Sequence, residues 1–133
     1  MNIFKNIKIY FKFRTKAFKK IGSNTQYKDP SSKFLFPENI KIDDNTKIAN
    51  NVFFDGVGGI SIGRCCMVAP HCTILTSNHN YEKNIKYLPF DNKMIMKEVV
   101  IGDYCWVGRN VMIMPGVRIG LACVIAAGSV VTK

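Results

Sequence analysis

The sequence predicts an all-β solenoid, a parallel β-helix whose chain turns a corner every six residues, and three observations predict it. From residue 101 the chain divides into "IGDYCW", "VGRNVM", "IMPGVR", "IGLACV" and "IAAGSV", followed by "VTK". Each block opens on Ile or Val, at 101, 107, 113, 119, 125 and 131. The fifth place of each complete block holds a small or medium side chain: Cys105, Val111, Val117, Cys123 and Ser129. The same cut works upstream as "IDDNTK", "IANNVF" and "FDGVGG", then after a two-residue slip as "IGRCCM", "VAPHCT" and "ILTSNH".

A fixed short period means stacked units, each burying its apolar face only against its neighbours. A helix would need apolar residues three and four apart, whereas a strict six with Gly, Asn or Asp beside the opener suits short strands joined by turns. Three blocks then make one triangular coil, with the opener filling the interior and the fifth residue pointing inward near a corner. Asn110 and Gly116 stand just before that position, where a corner calls for left-handed backbone. The cysteines follow the same rule: Cys66, Cys72, Cys105 and Cys123 share the fifth place. They form no Cys-x-x-Cys pair and number five in all, which fits neither a zinc site nor a closed disulfide framework and points to a reducing compartment.

Two segments lie outside the rhythm. Residues 1–22 carry seven Lys or Arg and no acid, out of a net charge of +10, with Phe4, Ile7, Phe11, Phe18 and Ile21 near helical spacing. They read as a basic amphipathic helix, either packed on the domain that follows (23–133) or lying on an anionic membrane surface. No run approaches the roughly 18 apolar residues of a membrane span, and no basic cluster interleaved with aromatics follows residue 22, so nucleic acid is not an expected partner. The second segment is 79–98, "HNYEKNIKYLPFDNKMIMKE", polar and aromatic, without the period. A loop this long in a compact domain is usually functional or disordered, and it begins on one of only two histidines.

"IGDYCWVGRNVMIMPGVRIGLACVIAAGSVVTK" and "HCTILTSNHNYE" resemble the hexapeptide-repeat acyltransferases, in their sugar O-acetyltransferase branch, over about residues 40–133. The resemblance implies a left-handed winding, which spacing alone would not select, since parallel crossovers are otherwise almost always right-handed. It implies an acetyl-coenzyme A-dependent O-acetyltransferase acting on a hydroxyl of a sugar or surface-polysaccharide precursor. It also implies a homotrimer with each site between two subunits; the cysteine usage points to the cytoplasm, either free or on the inner face of the membrane, and no metal is expected. A free imidazole titrates near neutrality, as a base for hydroxyl attack requires, and His79 matches the family's catalytic histidine. His71, the other histidine, is expected at a corner facing out.

Further positions transfer one at a time. Asn51 matches an acceptor-binding Asn, and Trp106 a Trp walling the cleft near the thioester. The backbone at Arg109, Ala126 and Ala127 matches the segments that hold the pantetheine arm, and Thr132 and Lys133 positions near the nucleotide. The family pattern usually continues past "GSVVTK" into a cap. The sequence stops at Lys133, so either the chain is a truncated one or its last coil is covered by the N-terminal helix or a partner. The readings kept open beside this one are acetylation of an antibiotic, amino sugar or serine, and a non-catalytic β-helix subunit. The carbonic-anhydrase-like β-helices need three zinc-binding histidines, and two are present.

Overall fold

The computed structural model describes residues 17–81 and 92–133. The expected amphipathic helix lies outside the described residues as far as residue 16, as does the middle of the 79–98 segment. The described chain builds three parallel sheets that form the faces of a prism. The first face holds β1 (Lys20–Ile21), β3 (Ile40–Ile42), β6 (Ile60–Ile62), β11 (Val99–Ile101) and β14 (Arg118–Ile119). On the second are β4 (Lys47–Ile48), β7 (Met67–Val68), β12 (Trp106–Val107) and β15 (Val124–Ile125), with Gln26 bridging to Lys47. The third holds β2 (Lys33–Leu35), β5 (Phe53–Asp55), β8 (Thr73–Ile74), β13 (Met112–Ile113) and β16 (Val130–Val131). The chain visits the faces in turn, so the solenoid makes about five coils and is the left-handed β-helix expected.

The block rule is visible side chain by side chain. The openers Ile42, Phe54, Ile62, Val68, Ile74, Val107 and Ile113 are all but fully buried in a single core, as are Cys66, Cys72, Cys105, Val111 and Val117 from the fifth place. The fourth residue has positive φ in block after block: Asn45, Asn51, Cys65, His71, Tyr104, Asn110, Gly116, Ala122 and Gly128. Left-handed backbone turns the corner and drives the next side chain inward. Asn and Gly tolerate it, whereas Cys65, His71, Tyr104 and Ala122 adopt it against a cost of about 1–2 kcal/mol each. Cys65, the fifth cysteine, is thus an exposed corner residue.

The inward fifth residues also bond from coil to coil. Thr46 Oγ1 donates to the Gly63 carbonyl (2.7 Å) and accepts from the Cys66 amide (3.0 Å). Cys66 Sγ lies 3.1 Å from the Gly102 carbonyl oxygen and accepts from the Cys105 amide, and Cys105 Sγ reaches the Gly120 carbonyl at 3.0 Å. Cys72 repeats the pattern with the Gly108 carbonyl and the Val111 amide. Cysteine here does the work of a small buried donor that is also an acceptor. Burial pushes the Cys66 and Cys72 thiols above their ordinary pKa, which keeps them protonated as donors.

The first coil departs from the expected domain boundary at 22/23. Lys20–Ile21 are a strand, paired in parallel with Lys41–Ile42, so the solenoid already includes residues assigned to the N-terminal helix. "IGSNTQ", 21–26, is in fact a block, with Ile21 packed on the core and Asn24 at φ 51°. Phe18, Tyr27, Phe34 and Phe54 stack edge to face over this end, with ring centroids 5.0–6.3 Å apart. These contacts cover the first coil with aromatic surface.

Candidate functional site

Every departure from the six-residue step after the first coil falls on one edge, where the third face turns into the first. Between β2 and β3 that edge carries the 3₁₀ turn Pro37–Asn39, and between β5 and β6 the glycine-rich corner Gly56–Gly59. The two-residue slip in the repeat is this second corner. Between β8 and β11 the chain leaves the stack altogether. It does so as paired structure: β9 (Ser77–His79) and β10 (Met94–Met96) form an antiparallel ribbon with His79 opposite Met94, Asn78 opposite Ile95 and Ser77 opposite Met96. The segment read as a loop from His79 onward therefore begins inside a hairpin.

Buried polar groups tie the ribbon's root to the glycine-rich corner. Thr76, with no solvent exposure, donates through Oγ1 to the Asp55 carbonyl (2.6 Å) and accepts from the Gly58 amide (2.7 Å), while its own carbonyl accepts from the Lys97 amide (2.9 Å). A Cβ on Gly58 would lie 2.6 Å from the Thr76 carbonyl oxygen, so only glycine permits this approach. Asp55 is 5% exposed; its carboxylate accepts from Ser77 Oγ (2.7 Å) and from the Val57 amide (3.3 Å). Beside this root lies a groove of about 320 Å³ lined by Lys19, Asn39, Lys41, Gly58, Ser61 and Glu98 among others.

The residues singled out from the sequence fall into two groups. His79 is exposed on β9, and Thr132 and Lys133 follow β16 toward the same edge. Asn51, Arg109, Ala126 and Ala127 lie on the edge between the second and third faces, where successive coils bond through the His71 amide to Asn50, the Asn110 amide to Pro70 and the Gly128 amide to the Arg109 carbonyl (2.8 Å). A Cβ on Gly108 would meet the Ala127 amide nitrogen at 2.7 Å, so the backbones at 108 and 127 are in close approach. His71 is the exposed corner residue expected. Trp106 is half exposed on the second face, stacked in register between Met67 and Val124, which are equally bare. One chain does not bring Asn51 and His79 together. Sequence reasoning missed Asp55, Thr76, Ser77 and Gly58; the slip at 54–61 was the signal that this corner differs.

A parallel β-helix with an edge-borne ribbon defines a class of solenoid, and comparison with known proteins narrows it. The family described as "Bacterial transferase hexapeptide (six repeats)" matches residues 98–133. Galactoside O-acetyltransferase of Escherichia coli K12 is 31% identical over 116 residues, covering 87% of this chain and 55% of that protein. The putative colanic acid biosynthesis acetyltransferase WcaF of the same organism is 29% identical over 117 residues, 86% of this chain and 59% of that one. A hexapeptide-repeat-containing acetyltransferase from Vibrio cholerae O1 biovar eltor, solved in complex with acetyl coenzyme A, superposes with a TM-score of 0.78 at 28% identity, covering 96% of this chain and 73% of that one. Residues 98–133 carry the hexapeptide-repeat family match, and most of the chain is similar to hexapeptide-repeat acetyltransferases; it spans about half the length of the curated relatives it matches.

Proposed function

We propose that the protein is an acetyl-coenzyme A-dependent O-acetyltransferase that acetylates a hydroxyl of a sugar or surface-polysaccharide precursor, with His79 as general base. The observation that carries this reading is the placement of His79: exposed, on a paired strand, at the edge where the solenoid opens. The names of relatives, galactoside and colanic acid acetyltransferases, support the acceptor class. The bound acetyl coenzyme A of the Vibrio relative supports the donor.

In this reading the imidazole takes the acceptor's hydroxyl proton as the oxygen attacks the thioester carbonyl. The tetrahedral adduct collapses, the carbon–sulfur bond breaks, and the imidazolium returns the proton to the departing thiolate. Arg109, Ala126 and Ala127, on one edge with close-packed backbone, hold the pantetheine arm, and Thr132 and Lys133 lie toward the nucleotide. Asn51 binds the acceptor and Trp106 walls the cleft. Because Asn51 and His79 stand on different edges, a complete site takes its second wall from another copy, and the bare row Met67, Trp106 and Val124 is apolar surface for that contact. A homotrimer closes three such sites.

The test is thiol release from acetyl coenzyme A with a panel of galactosides, nucleotide sugars and amines. His79→Ala should lower turnover about 10²- to 10⁴-fold while leaving the melting temperature in place. Unchanged turnover in the variant would exclude His79 as the base. No thiol release with any hydroxylated acceptor would exclude the transferase reading in favour of a non-catalytic subunit.

A further inference from the structure

We infer that Asp55 is a positioning residue: its buried carboxylate, through Ser77, fixes the root of the ribbon and thereby the direction in which His79 is presented. The inference rests on the reading of His79 as the base. It starts from an anomaly in the stack. In register with Asp55 stands Leu35 in the coil above, and the same position further along is held by Leu75 and Met114. Three of the five positions in this column are apolar and the last, Thr132, is uncharged, so the solenoid itself has no need of a carboxylate.

A buried charge is normally paired with a cation or a metal. The described bonds to the Asp55 carboxylate come instead from two neutral donors, the Ser77 hydroxyl at 2.7 Å and the Val57 amide at 3.3 Å. The first lies in the length range of a charge-assisted bond. Both donors belong to structure that the regular coils lack: Val57 to the glycine-rich corner, Ser77 to the first residue of the ribbon. Asp55 therefore sits where the irregular parts meet and binds them to each other.

His79 is two residues beyond Ser77 on the same strand, and side chains two apart share a face. The ribbon has three paired positions on its described length, and an isolated two-stranded hairpin is marginally stable in water. Its orientation is therefore set at the root. Thr76 anchors the backbone there, but its bonds run to the Asp55 carbonyl and the Gly58 amide. Among the described side-chain bonds, the one that ties the face of the strand carrying Ser77 and His79 to the stack is Ser77 to Asp55. A base displaced by about 1 Å can lose on the order of 100-fold in rate.

The experiment uses the full chain with Asp55→Leu, Asp55→Asn, Ser77→Ala and the double variant Asp55→Leu/Ser77→Ala, assayed by thiol release from acetyl coenzyme A with methyl β-galactoside. Melting temperature and the ¹H–¹³C imidazole resonances are followed in parallel. His71, on another edge, is the internal control. The expected result has four parts. Turnover falls roughly 10- to 100-fold in Asp55→Leu and Ser77→Ala with KM for donor and acceptor little changed. The double variant is no worse than Asp55→Leu. Melting of Asp55→Leu is unchanged or raised, as the apolar column predicts. The His79 resonances move while those of His71 stay. A loss confined to the acceptor KM would make Asp55 a direct acceptor contact and overturn the inference. Unmoved His79 resonances in every variant would overturn it too, as would a fall in melting that shifts both histidines. If the His79 resonances move as expected but His79→Ala retains full activity, the positioning role stands and the proposed base is wrong.

Discussion

The last two coils and the edge beneath the ribbon are built on opposite logics. From Val99 to Val131 the faces repeat at eighteen residues, with Trp106 opposite Val124 and Met112 opposite Val130, and the openers Ile101, Val107 and Ile113 recur as Ile119, Ile125 and Val131. No single residue there decides the outcome, because openers, corners and fifth places all require the same structure. At the edge between β5 and β9 nothing repeats. Its geometry depends on single bonds among Asp55, Thr76, Ser77 and Gly58. The difference teaches that stability and chemistry are stored in separate residues, and substitutions should divide accordingly.

The largest expected separation is at the edge: His79→Ala should remove most activity and Asp55→Leu a good part of it, both without loss of melting temperature. A substitution in the body should do the reverse. Cys66→Ala leaves the Gly102 carbonyl and the Cys105 amide without their buried partner, at a cost of about 1–3 kcal/mol. Cys66→Ser, which keeps donor and acceptor, should recover part of it. Urea midpoints at fixed protein concentration measure both, and equal midpoints for Ala and Ser would mean that the thiol is only filler. Relief of corner strain is smaller and of opposite sign. Ala122, at φ 54° and exposed, should stabilise when changed to Gly by up to about 1 kcal/mol, with turnover unaffected; a lower midpoint would show that the corner carries no strain.

The smallest effect concerns Asp43 in the second coil. Burial works to raise its pKa, but hydrogen bonds and charges from Lys20 and Lys41 more than offset it, so the carboxyl is held below its ordinary value. Stability from this group is present above the unfolded carboxylate pKa, near 3.9, and is lost as pH falls through the lower native value. Asp43→Asn should therefore lower the melting temperature slightly at neutral pH, with the difference from wild type closing below about pH 4. A gap that persisted into more acid solution would assign the effect to packing instead.

The repeat made the body legible because each requirement recurs. The opener, the left-handed fourth residue and the inward fifth could be read at Ile101, Asn110 and Cys105 from spacing alone. The first coil was hidden by competing signals: Ile21 belongs both to "IGSNTQ" and to the apolar stripe of the basic segment, and charge pattern outweighed a single block. The ribbon was hidden for another reason. Ser77 pairs with Met96, nineteen positions away, across residues without a period, and antiparallel register at that distance leaves no local mark. Asp55 could have been found as the one charged residue in its column, but only once that column was aligned.

The confinement of irregularity to one edge has a consequence for change over time. The strand onto which the excursion returns, β11, sits directly on β6 in full register, Val99 to Ile60 and Ile101 to Ile62. The stack therefore closes behind the departing chain as though nothing had been inserted. That corner behaves as a splice point: segments of other lengths and sequences can be exchanged there without retuning a single coil, provided the two ends still return to the same pair of rungs.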